Sequence, residues 1–181
     1  MKYKIIYADP AWKYNDKNHR GGAERHYQTT SIPDLTNLNV AKLCDTDCVL
    51  FMWVTFPMLA EGLELMKAWG FKYKTNAFTW IKKNKKQTDT NFLGMGNWTR
   101  SNPEICLLGV KGKPKRISAK VRQIIESPLR GHSQKPPEVR DRIIELMGDL
   151  PRLEMFAREQ TDGWDVFGNE VENSITIEVK P

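Results

Sequence analysis

Six short apolar runs limit what this chain can become: residues 4–8, 49–55, 77–82, 105–110, 153–157 and 165–167. None alternates strictly between apolar and polar positions, and a strand without alternation is one covered on both faces. Two stretches between them carry helical spacing instead. Residues 57–69 place a proline in the first turn, set Leu59, Leu63, Met66 and Trp69 on one side, and stop before Gly70. Residues 137–147 repeat the pattern with Val139, Ile143, Leu146 and Met147, then Gly148. Strands interleaved with helices predict an α/β fold, a mostly parallel sheet with helices on both faces. The 181 residues are expected to form one domain, 1–181, with the polar segments 13–30 and 84–102 as long loops around its site.

Composition narrows the class. With 40% hydrophobic and 28% charged residues the chain reads as globular, not disordered. No apolar run approaches the roughly 18 residues of a membrane span, and the run ending at Ala8 is too short for an export signal. Cys44, Cys48 and Cys106 are an odd number without such a signal, so reduced thiols and a cytoplasmic location are expected. Cys44 and Cys48, with His19, His26 and His132 scattered, offer no second ligand pair of suitable spacing, so no metal is expected. The net charge of +6 suits a polyanionic partner. The dense basic clusters are Lys82-Lys83-Asn84-Lys85-Lys86 and Lys111-Gly112-Lys113-Pro114-Lys115-Arg116.

The first run ends "IIYADPAW", residues 5–12. Asp9 therefore falls where an open α/β sheet binds its ligands, beyond the carboxyl end of a strand. Asp-Pro alone is a common turn pair. An acid at a strand end, a φ-locked proline and an aromatic three residues after the acid can do more. The carboxylate of Asp9 and the carbonyl of Pro10 can each accept one N–H of an exocyclic amine, orient its lone pair, and stabilise positive charge developing there. Trp12 offers a face on which a base could stack.

"DPAW" resembles the Asp-Pro-Pro-Trp motif of the adenine N6-methyltransferases related to the catalytic subunit of the mRNA adenosine methyltransferase. Five more segments extend the resemblance over nearly the whole chain: "HYQTTSIPDL", "VLFMWVT", "NWTRSNPEICLLGVKGKP", and the pair "HSQKPPEVRDRI" and "RLEMFAREQTDGWDVFGNE". The resemblance implies a Rossmann-like fold with permuted motifs, the catalytic half first and the cofactor half last, and S-adenosyl-L-methionine as methyl donor. It implies catalytic roles for Asp9, Pro10 and Trp12, and a target-base pocket of Tyr27, Trp53 and Glu104. Toward the cofactor it implies Asp9, Lys135 on the methionine carboxylate, Arg158 on the ribose side, and Asn169 and Glu170 on hydroxyl or adenine groups. Lys82, Lys83, Lys85, Lys86, Arg100, Lys113, Lys115 and Arg116 are the expected nucleic-acid contacts. Two departures stand out: Ala11 replaces the second proline, and "EMFAREQ" lacks the glycines usual after the first cofactor strand.

The implied reaction is methylation of adenine N6 in DNA, by a bacterial or phage member of the family. The alternatives are the same reaction on RNA, or a non-catalytic nucleic-acid-binding subunit. A homodimer or a partner subunit is compatible with each. A base must leave the duplex to reach such a pocket.

Overall fold

The computed structural model describes residues 2–12, 30–96, 98–131 and 134–180. In chain order the elements are β1 (Tyr3–Ala8), α1 (Ile32–Asn37), α2 (Val40–Leu43), β2 (Cys44–Val54), a single 3-10 turn (Phe56–Met58), α3 (Leu59–Ala68), β3 (Lys72–Lys83), β4 (Glu104–Lys111), β5 (Ile124–Pro128), α4 (Glu138–Met147), β6 (Arg152–Met155) and β7 (Asp165–Phe167). The strands form one sheet in the order β5-β3-β4-β2-β1-β6-β7. Every pairing is parallel except those of β4, which runs against both β2 and β3. This is the expected mostly parallel α/β architecture, Rossmann-like in class.

The missing alternation has the expected cause. Along β2, Leu50, Met52 and Val54 face one core cluster with Leu65, Met66 and Trp69 from the α3 side. Val49, Phe51 and Trp53 face the other, with Val139 and Ile143 of α4. Both faces are covered from Cys48 to Val54, so that run leaves no position for a polar side chain.

The α3 face differs from the expected one. Gly62, Leu65 and Met66 are its buried residues, while Leu63 is exposed. Gly62 presses so closely on β2 that a Cβ there would lie 2.9 Å from Val54 Cγ2, which turns the helix about its axis and swings Leu63 outward. The sequence reading did not single out β5. Only Ile125 in it is buried, so it carries almost no apolar signal. No helix among the described residues is long and apolar enough to cross a membrane.

The direction of β4 has a consequence for the basic clusters. The carboxyl ends of the six parallel strands share one edge with the amino end of β4 at Glu104, so residues 84–102 lie at the edge that carries Asp9. The "KGKPKR" segment leaves β4 at the opposite edge, where the Lys113 N–H donates to Asp47 at 2.7 Å. Lys113, Lys115 and Arg116, expected as nucleic-acid contacts with the first cluster, therefore follow β4 at the edge opposite Asp9.

The turns after β6 and β7 are pressed together. The Ala157 N–H donates to the Phe167 carbonyl at 3.1 Å, and a Cβ on Gly168 would stand 2.0 Å from the Ala157 carbonyl oxygen. Backbone, not a movable side chain, fills that space. Gly168→Ala is expected to cost about 1–3 kcal/mol through overpacking, read from urea unfolding.

Candidate active site

Asp9 follows the last residue of β1. Its N–H donates to the Met155 carbonyl at the end of β6, at 3.4 Å. The turn behind it is pinned at three points. The Trp12 N–H donates to the Pro10 carbonyl at 2.9 Å, and the Thr30 N–H to the Ala11 carbonyl at 3.0 Å. The Trp12 indole N–H donates to the Trp53 carbonyl at 3.3 Å. These bonds hold the turn although Ala11 lacks the φ restraint of a second proline. The Pro10 carbonyl keeps a second lone pair for another donor.

Lys135, just before α4, reaches this strand end. Its ammonium donates to Asp9 Oδ2 at 2.8 Å and lies 3.2 Å from Glu104 Oε2. The other oxygen of Glu104 accepts from Lys82 at 2.6 Å. A chain of four alternating charges, Lys82–Glu104–Lys135–Asp9, thus crosses the carboxyl edge of the sheet. Lys135 also sits 5.7 Å from the centroid of the Trp53 ring, a cation–π contact. The side chain of Lys135 is only 8% exposed, whereas that of Asp9 is 27% exposed and opens to a cleft.

The partners set the proton affinities. Burial raises the Asp9 carboxyl above the ordinary range, with Lys135 opposing and Glu104 adding to the rise. Burial also works against ionising Glu104, but Lys135 and Lys82 outweigh it and hold its pKa low. Burial alone would lower Lys135; Asp9 and Glu104 reverse this and hold it firmly protonated.

The cleft beside Asp9 has an open volume of about 490 Å³ and is lined by Tyr7, Lys135, Arg140, Glu154, Phe156 and Arg158, among others. Asp9 and Arg158 lie at the same sheet edge and on the same cleft. Arg140 grips Glu154 through two parallel bonds of 2.7 and 2.8 Å, a bidentate pairing that suits a buried carboxylate. Burial raises the Glu154 carboxyl, and Arg140 opposes that rise. Phe156 has φ of 64°, a conformation rare for a bulky residue, and its ring stacks on Trp69 at 6.4 Å. Strain of this kind collects at ligand sites. Here it falls at the turn where a glycine-rich sequence was missing.

The expected residues divide by position. Asp9, Pro10, Lys135, Glu104 and Arg158 come together at one edge. Glu170 lies 3.8 Å from Arg158, and exposed Asn169 precedes it at the rim. Trp12 is 5% exposed and Trp53 fully buried, so neither offers a base a free face. Trp12 braces the Asp9 turn. Trp53 underlies Lys135 and donates its indole N–H to the Tyr7 hydroxyl at 2.7 Å. Glu104 is paired with two lysines, Lys82 and Lys135. Of the first basic cluster, Lys82 is paired with Glu104 and Lys83 with Glu126, while Lys85 and Lys86 are exposed. Arg100 donates to the Leu93 and Gly94 carbonyls within its own loop. Tyr27 lies outside the described residues. Tyr7, Arg140, Glu154 and Phe156 were not anticipated. An acid inside the apolar run "RLEM" was the available signal, because a buried carboxylate needs a partner.

An open α/β sheet with an Asp-Pro turn and a charged cleft at its carboxyl edge is the arrangement expected of a Rossmann-like methyltransferase. A model of the MT-A70 family matches residues 3–170, and the chain belongs to that family. It is 35% identical to the Type II methyltransferase M.MunI of a Mycoplasma species, covering 97% of this chain and 81% of that protein. It is 30% identical to the N(6)-adenosine-methyltransferase MT-A70-like protein of Arabidopsis thaliana and 29% identical to the human N(6)-adenosine-methyltransferase catalytic subunit METTL3. Those two alignments cover 93% and 94% of this chain but only 24% and 28% of the relatives, so the chain spans about a quarter of their length.

The charge chain has a testable pH signature. Glu104, held low, contributes stability above the ordinary carboxylate range and loses it as pH falls through its lowered pKa. Asp9, held high, costs stability as pH rises through its raised pKa. Lys135→Met removes the attraction that opposes burial in both, so both pKa values move up. The variant is expected to lose about 3–5 kcal/mol at pH 8, and progressively less as pH is lowered toward 4, measured by urea unfolding across that range.

Proposed function

We propose that this chain transfers a methyl group from S-adenosyl-L-methionine to the exocyclic N6 amine of adenine in DNA. The observation that carries the reading is the half-buried Asp9 carboxylate, fixed at the end of β1 and facing a cleft lined by both cations and carboxylates. That lining suits a donor with a carboxylate, an ammonium and a ribose. Lys135 and Arg158 are the cations for its carboxylate and ribose side, Glu154 and Asp9 the facing acids, and Asn169 and Glu170 the rim. The cofactor supplies an electrophilic methyl group.

The protein's own part concerns the acceptor nitrogen. An aryl amine is a weak nucleophile because its lone pair is shared with the ring. Asp9 and the second lone pair of the Pro10 carbonyl each accept one N–H, which turns the lone pair out of conjugation. The negative charge of Asp9 then stabilises the cationic nitrogen as the bond forms. Its raised proton affinity also suits Asp9 to take the proton that the methylated nitrogen must lose.

DNA is favoured over RNA because the bacterial relative named as a Type II methyltransferase matches most of both chains, while the adenosine methyltransferases extend far beyond the match. A non-catalytic subunit would have no need of an acid held at the cleft. The acting unit is read as the single domain 1–181, alone or with a second subunit.

Asp9→Asn keeps a hydrogen-bond acceptor but loses the charge. Single-turnover methylation of an adenine oligonucleotide is expected to fall about 100- to 1000-fold, with calorimetric affinity for the cofactor changed far less. Paired DNA and RNA oligonucleotides of one sequence, assayed with labelled cofactor, test the substrate. Faster turnover of the RNA would refute the DNA assignment, and a wild-type rate for Asp9→Asn would refute the role of Asp9.

A further inference from the structure

The least protected large side chain among the described residues belongs to Trp98, which is 96% exposed, and Met95 beside it is 87% exposed. An indole held almost wholly in water forgoes more burial than any other side chain could offer. The loop carrying it is tied by its own hydrogen bonds. At its foot the Asn102 side chain accepts from the Lys82 N–H at 2.9 Å and donates to the Lys82 and Phe92 carbonyls at 2.9 and 2.6 Å. Higher up, the Gly94 N–H donates to the Ser101 carbonyl at 2.7 Å, and Arg100 caps the Leu93 and Gly94 carbonyls at 2.8 and 2.7 Å. At the tip Gly96 has φ of 64°, and a Cβ there would lie 1.7 Å from the Thr99 carbonyl oxygen, so the turn closes backbone on backbone. The fold holds Trp98 out on a braced turn.

The position of the loop narrows its partner. Residues 84–102 join β3 to β4 at the edge carrying Asp9, and Lys82, which Asn102 clamps, is the first charge of the chain ending at Asp9. Lys85 and Lys86 are exposed on the same loop. A second copy of this chain would bring the same +6 charge, and lysines are depleted where proteins pack on one another. A stack of flat bases flanked by phosphates matches a flat apolar side chain with cations around it. Extruding one base leaves a gap in that stack, and an inserted apolar side chain keeps the gap open.

Resting on the DNA reading above, we propose that Trp98, supported by Met95, is the wedge of this enzyme: it inserts into the duplex and fills the place of the extruded adenine. Trp98 thereby takes the stacking role that buried Trp12 cannot perform, on the vacated stack instead of on the target base.

The test compares substrates in which the adenine is and is not held in the stack. Trp98→Ala is expected to lower kcat/KM about 10- to 100-fold on a fully paired duplex, and less than about threefold on the same duplex with an abasic site opposite the target. Trp98→Phe should recover much of the loss. With 2-aminopurine at the target position, the fluorescence rise on adding wild-type enzyme should be largely absent with Trp98→Ala. An unchanged melting temperature checks folding, which an exposed side chain should not disturb. Equal losses on both duplexes, or a wild-type rate on the paired one, would overturn the wedge. A drop in sedimentation coefficient for Trp98→Ala would overturn it in favour of contact with a second copy. Failure of the wild-type enzyme to methylate either duplex would instead refute the DNA reading, and the wedge with it.

Discussion

One buried ammonium organises this site. Lys135 holds Asp9 on one side and Glu104 on the other, over the ring of Trp53. Two carboxylates so close to one another and so little hydrated would repel and protonate without it. With it, one acid is kept firmly ionised and the other is left with a proton affinity above the usual. The difference follows from the cations each faces among the described residues. There Glu104 is paired with both Lys82 and Lys135, whereas Asp9 is paired with Lys135, has Arg158 farther off, and opens to the cleft. The acid better suited to exchanging protons is therefore the one that opens to the cleft.

In the reading proposed above, the same ammonium also meets the carboxylate of the methyl donor. A cofactor drawing on Lys135 would weaken its hold on Asp9, leaving that carboxylate more strongly drawn to the amine protons of the acceptor. Glu104 keeps Lys135 anchored whichever partner it favours, and Lys82 keeps Glu104 charged. The outer pair lets the inner pair change partners without stranding a buried charge.

Much of this was legible in the residues. Runs without alternation implied a sheet buried on both faces, and β2 shows why: successive side chains feed two different clusters. The acid-proline pair after the first run located the ligand edge. What the sequence concealed was direction and depth. β4 looks like any other apolar run, and nothing local marks it as antiparallel, yet its direction decides which basic cluster stands near Asp9. Trp12 and Trp53 read as aromatic faces for a base because burial is a tertiary property. Arg140 and Glu154 are 14 residues apart in sequence, and only the return of α4 onto β6 joins them.

The reversed strand ties the remaining features together. A parallel β4 would need a crossover to enter the sheet, and its amino end would lie away from Asp9. Running antiparallel, β4 is reached from β3 by a loop that never leaves the ligand edge. That one choice puts Glu104 at the start of the strand, within reach of Lys82 at the end of its neighbour, and sets Asn102 beside both. The loop and Asp9 are consequently joined by one ladder of hydrogen bonds and ion pairs. A nucleic acid bound at this loop, as proposed above, would be held in register with Asp9.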